Sequence, residues 1–302
     1  MDTSIEDKSG EANVSFILQN FYDPKKDSVL YHYCSMESFE AIVRSGRIRL
    51  SDINMMNDFS EISWGYKIFE EAASRILARE DQNSDLPNRD FFDAIDAQLA
   101  SAQLSMHPLL ACFSTERDVL SQWRGYANDG TGVCIGFSGH KLLNCCATFF
   151  KCQYDYEIQV EQMIGRLISA YQIGSEFSPQ DHAEHLFGYL PSLKNPAFIE
   201  EGEVRAVHLL QVSVTENGFE LTDPGGQEFG KDAAICSVEF QIRDGGVVPY
   251  IDIPFYDGKP DGEITNVTLG PKNVNFPGNI SAMLMRYGYK KVTILRSQAT
   301  YR

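Results

Sequence analysis

The stretch from Leu30 to Asp58, LYHYCSMESFEAIVRSGRIRLSDINMMND, constrains the fold more than any other. A short apolar strand runs into His32-Tyr33-Cys34, and Ser-Met-Glu-Ser then opens a helix whose Phe39, Ile42 and Val43 repeat at helical spacing. Ser35 suits the N-cap, with Glu37 and Ser38 in the first turn, and Gly46 suits the left-handed residue that ends a helix. A second strand, Arg47 to Ser51, follows at once, and a polar loop closes the unit at Asn57-Asp58. This order puts His32 at a strand end facing a helix start, where oriented amides can meet the polar groups of a ligand.

The remaining elements decide the fold class. Beyond Pro196 several strands arrive in succession: one emerging from Phe198–Leu210, then Ala234–Ile242, Val248–Ile253 and Ile264–Leu269. Gly218 to Lys231 between them is Gly-rich and reads as turns. Strands without helices between them exclude a doubly wound parallel sheet. Earlier, amphipathic helices over Phe59–Leu77, Phe91–Leu104, Ile158–Tyr171 and Gln180–Leu190 interrupt strands at Leu109–Ser114, Gly132–Phe137 and Thr148–Tyr156. The expected fold is α+β: a mixed, mainly antiparallel split sheet with helices inserted around 59–105 and 157–190. Residues 1–13 read as a flexible, acidic N-terminal tail, and 14–302 as a single α+β domain.

Composition narrows the function classes. Hydrophobic residues make up 43% of the 302, ample for a core. No run approaches the ~20 apolar residues of a membrane span. The acidic start, MDTSIEDKSGEAN, is not a leader, so a soluble cytoplasmic protein with no membrane partner is expected. A net charge of −16 weighs against broad nucleic-acid binding, which needs a basic face. Seven scattered cysteines without a Cys-x-x-Cys repeat imply reduced thiols rather than a disulfide framework.

Three clusters could carry chemistry. His32 with Tyr31, Tyr33 and Ser35 could hold a sugar or a carboxamide; equally, His32 could be a histidine hydrogen-bonded inside a strand–helix corner. Ser121-Gln122-Trp123-Arg124-Gly125-Tyr126 sets an aromatic plane, a guanidinium and a phenol within six residues. Such a set matches a base and its phosphates, or a core anchor beside a surface ion pair. In Glu200-Glu201-Gly202-Glu203-Val204-Arg205, an extended chain would aim Glu201 and Glu203 at one face. Paired carboxylates suit an oxocarbenium-like transition state, and the plain alternative is a solvated acidic turn. His182 and His185, three apart, make half a metal site without further ligands, so no metal is expected. Lys272, in Leu-Gly-Pro-Lys-Asn, could meet an anion or close a turn. The chain has no Walker loop, no Gly-x-Gly-x-x-Gly and no Gly-x-Ser-x-Gly, which removes support for P-loop, Rossmann and α/β-hydrolase chemistry.

Taken in order, Tyr31-His32-Tyr33 with Ser35, Arg49 to Asp58, Cys112-Phe113-Ser114, Gln122 to Tyr126, Gly132 to Phe137, Glu200 to Arg205, Leu269 to Lys272 and Ser297 to Arg302 resemble an uncharacterised bacterial family, domain of unknown function 2971. More distantly, a first-strand His, then helix, Gly, strand, aromatic block and late Glu are similar to the ADP-ribosyltransferase superfamily. That resemblance implies an NAD-consuming enzyme that breaks the nicotinamide–ribose bond. Glu203, with Glu201 beside it, would support the transition state and His32 would hold the ribose. Tyr126 would stack on nicotinamide, with Trp123 the alternative, and Arg49 or Arg124 would lie near the phosphates. Tyr33, Ser35 and Asn57 would complete the NAD site. A toxin or phage-defence effector with an unknown macromolecular acceptor is the implied role. A non-catalytic ligand-sensing or partner-binding module in a stress or defence system is the competing one.

Overall fold

The computed structural model describes residues 20–53, 61–80, 86–173, 178–243 and 245–301. The expected tail at 1–13 and Asn57 lie outside them. The chain divides into two compact units, Met1–Phe21, Asn57–Met106 and Lys151–Ala197 in one, and Tyr22–Met56, His107–Phe150 and Phe198–Arg302 in the other.

The second unit holds the opening motif as the sequence implies it. Strand β1 is Val29–Cys34, helix α1 Met36–Ser45 and strand β2 Arg47–Asp52. Ser35 caps α1 through its Oγ, which accepts from the Ser38 amide at 3.2 Å. Phe39, Ile42 and Val43 bury the inner face of α1, each contributing roughly 1.5–3 kcal/mol by the usual scale of full burial. Gly46 ends the helix at φ +66.

The main sheet joins eleven strands among the described residues. Besides β1 and β2 these are β3 (Met106–Ser114), β4 (Val133–Ser138), β5 (Thr148–Lys151), β6 (Glu203–Thr215) and β7 (Gly218–Thr222). A separate two-stranded sheet pairs β8 (Gln227–Glu228) with β9 (Lys231–Asp232), and β10 (Glu239–Arg243), β11 (Gly246–Pro254), β12 (Ile264–Leu269) and β13 (Thr293–Arg296) complete the main one. The path runs β10-β11-β2-β3-β1-β4-β12-β13, with β6 also on β3 and carrying β5 and β7. The registers within this path are antiparallel apart from β12 with β13. The fold is therefore α+β with a mixed, mainly antiparallel sheet. Several local expectations change, among them the strand over Thr148–Tyr156, which ends at Lys151 before a helix opens at Tyr156. The stretch after Gly218 includes a hairpin, β6 to β7, with Val214 opposite Phe219. The strand expected over Ala234–Ile242 is confined to Glu239–Arg243.

The main core lies on one face of this sheet. It takes Leu30 and Cys34 from β1, Leu109, Ala111 and Phe113 from β3, Ile135 from β4, Val204 and Ala206 from β6, and Ile280 and Leu284 from the late helix Pro277–Arg286. A smaller cluster of Tyr33, Trp123, Ala127 and Cys134 is separate from it.

The first unit is helical among its described residues. Helix α2 (Glu61–Glu80) packs on α5 (Tyr156–Ile173), and α3 (Arg89–Ser105) on α6 (Pro179–Tyr189), with α4 (Leu120–Tyr126) belonging to the other unit. Trp64 Nε1 donates to Gln159 Oε1 at 2.9 Å, and the Gln159 amide reaches the carbonyls of Gln153 and Lys194. Asn88 caps α3, and Ser178 with Asp181 forms a capping box on α6.

Gly46 combines a left-handed backbone with the Tyr256 ring lying where a Cβ would go. Gly46→Ala is expected to cost about 1–3 kcal/mol. A lower urea midpoint with an unchanged slope would register it.

Candidate functional site

The candidate residues separate by the faces of the sheet. In the β1/β4 register His32 stands opposite Ile135 and Tyr33 opposite Cys134. Ile135 belongs to the main core, whereas Cys134 belongs to the cluster with Tyr33 and Trp123. Successive strand side chains alternate, so His32 leaves β1 on the main-core face, and Tyr31 and Tyr33 leave it on the other. On β6, Val204, Ala206 and Leu210 join the main core, which sends Glu203 and Arg205 to the opposite face. Glu203 thus shares a side with Tyr33 and the aromatic block, and His32 does not.

His32 is part-buried, with its ring 5.6 Å from that of Phe113 and Nδ1 2.9 Å from the Cys112 carbonyl. A carbonyl can only accept, so Nδ1 carries the proton and donates, leaving Nε2 as an acceptor. Burial pushes the imidazole pKa below its usual value, and the bond to Cys112 recovers part of that shift.

The Glu-Gly-Glu segment does not form one extended strand. Glu201 is the last residue of a 3-10 segment, Pro196–Glu201, and Gly202 turns the chain at φ +51. Only Glu203 enters β6. The expected side-by-side projection of the two carboxylates is therefore corrected, because strand alternation does not hold across a left-handed residue. The end of β3 fixes this turn instead. Ser114 Oγ donates to the Glu201 carbonyl at 2.7 Å, while the Thr115 amide and hydroxyl donate to the Gly202 carbonyl at 2.9 and 3.2 Å. Both carboxylates are buried. Glu203 Oε2 accepts from Arg205 at 2.9 Å, and Arg205 is itself fully enclosed. Each of these charges offsets the desolvation of the other.

Tyr126 completes the cluster. It packs against the cluster of Tyr33, Trp123, Ala127 and Cys134, and its hydroxyl lies 3.4 Å from Glu201 Oε1, long for an O–H···O bond. The chain therefore brings a phenol and a carboxylate together across 75 residues.

The remaining sequence candidates are engaged in structural contacts. Tyr33 donates to the Glu116 carbonyl at 2.9 Å and accepts from the Val119 amide at 3.0 Å. Its phenol pKa is raised, chiefly by burial. Trp123 is fully buried, edge-on to Tyr33 with ring centroids 4.9 Å apart, and its Nε1 donates to Asp118. Ser35 serves as the cap described above. Arg49 is fork-bonded to both Asp252 oxygens at 2.9 and 3.0 Å, bonded to Gln241, and stacked 3.6 Å over Tyr250. Lys272 pairs with Asp129 at 2.8 Å. Arg124 is exposed, 5.7 Å over the Tyr301 ring. No group of three His, Cys, Asp or Glu side chains able to hold a metal occurs among the described residues.

Sequence reasoning passed over Ser114 and Thr115 as a clamp, and over Asp118. Burial pushes the Asp118 pKa up, but hydrogen bonds from Ser297, the Gln298 amide and Trp123 outweigh this and hold it below the ordinary value. Asp118 thereby ties the Ser297–Gln298 segment to the aromatic block. Its place five residues before Trp123 was the available signal.

Two measurements probe this arrangement. Arg205→Met leaves Glu203 buried without its guanidinium and should cost roughly 3–5 kcal/mol, against about 1 kcal/mol for Ser114→Ala. For His32, the unfolded chain takes up a proton near pH 6.5 that the folded chain refuses. Its stabilising contribution is complete above that pH and is lost as the pH falls through the lowered folded value. Stability measured against pH should fall less steeply in His32→Gln than in the wild type on that acid side.

Residues 122–206, which span Trp123, Arg124, Tyr126, Glu201 and Glu203, match a family model described as Protein of unknown function (DUF2971). No curated protein and no solved structure matches the chain. The matched segment is thus similar to a family whose description assigns no activity, and it begins at the aromatic block and ends just past the buried Glu203–Arg205 pair.

Proposed function

We propose that the protein is an NAD-consuming enzyme of ADP-ribosyltransferase type, which breaks the bond between nicotinamide and ribose. The observation that carries this reading is the meeting of Tyr126 with Glu201 beside the buried Glu203–Arg205 pair, all on one side of the sheet. As the C–N bond opens, nicotinamide leaves with the bonding pair and positive charge grows on the ribosyl carbon. Carboxylates held rigidly in a dry setting stabilise such charge without reorganising. Glu203 is the principal stabiliser, Glu201 its neighbour, and Tyr126 the flat surface for the nicotinamide ring. Arg124, exposed on the same short helix, is the guanidinium for the diphosphate in place of Arg49, whose fork is committed to Asp252. His32 acts as a positioning residue that holds the Cys112 carbonyl near the end of β3. Water or a macromolecular acceptor then attacks the ribosyl cation.

A second reading, a non-catalytic ligand-sensing or partner-binding module, is favoured by one observation. Tyr33, Ser35, Arg49 and Trp123 are all engaged in bonds that build the fold.

One experiment separates the two. Purified protein is incubated with NAD, nicotinamide release is followed, and binding is measured by calorimetry. The enzymatic reading expects release in the wild type and a loss of about a hundredfold or more in Glu203→Gln. Because Glu203 is buried against Arg205, Glu201→Gln and Tyr126→Phe serve as companions, with melting temperatures recorded for all. Undiminished release in the folded Glu201 and Glu203 variants, or NAD binding without any release, would overturn it.

A further inference from the structure

Strand β10 ends the sheet path among the described residues, and its outward side is unusually apolar for an edge. Phe240 is 59% exposed and Ile242 74%, and Val247, the partner of Ile242 on β11, is 63% exposed. The β10/β11 and β11/β2 registers place these residues on the side of the sheet that carries Ile251 and Ile253, both in the main core. The apolar face of the sheet thus continues past its buried region onto the edge hairpin. Edge strands of this kind are usually blunted by charge or by proline, because they template pairing with another chain.

Pro249 sets which backbone groups β10 offers. It stands opposite Phe240 and has no N–H, so Phe240 and Pro249 cannot be a pair that exchanges two ladder bonds. Hydrogen-bonded and non-hydrogen-bonded pairs alternate along an antiparallel ladder. Glu239, Gln241 and Arg243 therefore turn their amides and carbonyls toward β11, and Phe240 and Ile242 turn theirs toward the open edge.

The sequence of this edge is complementary to itself. About Gln241, Glu-Phe-Gln-Ile-Arg reads acid, apolar, polar, apolar, base. Laid antiparallel against a second copy with Gln241 on the twofold axis, Phe240 meets Ile242 of the partner in a hydrogen-bonded pair. Gln241 meets Gln241 in a non-bonded pair, and Glu239 meets Arg243. The outward backbone groups allow a twofold axis at Phe240, Gln241 or Ile242, and the pairing of Glu239 with Arg243 selects the one at Gln241; a twofold interface requires such self-complementarity.

We propose that β10 is a homodimerisation edge, joining two copies of this chain antiparallel about Gln241 into one continuous sheet. The test uses the full chain in analytical ultracentrifugation. The wild type is expected to sediment as a dimer. Glu239→Arg, which sets like charges opposite each other at both ends, should weaken association on the order of tenfold. Adding Arg243→Glu should restore it, since the pair is then exchanged rather than broken. Ile242→Lys, at an exposed position, should give a folded monomer. A wild type that stays monomeric at its highest soluble concentration would overturn the proposal. So would a dimer indifferent to Glu239→Arg, or a double exchange that fails to recover what the single change lost.

Discussion

Among the described residues strand β3 has three neighbours, β2, β1 and β6, and only two edges to give them. One edge must therefore serve two strands in succession, which is where the sheet branches. Leu109 and Leu110 face β2, Ser114 faces Tyr31 of β1, and just before that contact the His32 ring takes the Cys112 carbonyl. At the strand's end, Ser114 and Thr115 spend their side chains and an amide on the Glu201–Gly202 turn. Backbone groups that leave a ladder must find other partners, and here those partners are the residues that position the acidic cluster.

The face on which each side chain emerges then follows from this strand. Main-core residues of β1, β3, β4 and β6 define one side, so the positions between them define the other. Nothing about Glu203 in isolation marks it for burial. It is buried because it lies between the turn at Gly202 and the core residue Val204, with Arg205 one strand period away to offset its charge. The aromatic block reaches the same side because α4 packs on β1 beside Tyr33.

The strand–helix–strand opening was legible because each of its signals is local: a serine cap, a one-sided helix and a glycine stop. Strand β12 was legible for the same reason, since Ile264–Leu269 is a short run rich in β-branched residues between turns. The separation of His32 from Glu203 was not legible, because it depends on which face of an assembled sheet each strand turns toward the core. Glu-Gly-Glu conceals its geometry for a related reason. Strand alternation does not carry through a glycine that takes a positive φ, where the direction of the chain resets. Arg49 looked like a phosphate ligand until Asp252, 203 residues later, came opposite it. The β6–β7 hairpin hid inside a segment whose glycines suggested only turns.

The turn at Gly202 also has a mechanical consequence. Glu201 belongs to the 3-10 segment and Glu203 to the strand, so the two acids are mounted on different bodies that share one pivot. Each acid is pinned separately at that pivot, Glu201 through its carbonyl by the hydroxyl of Ser114 and Glu203 through its carboxylate by Arg205.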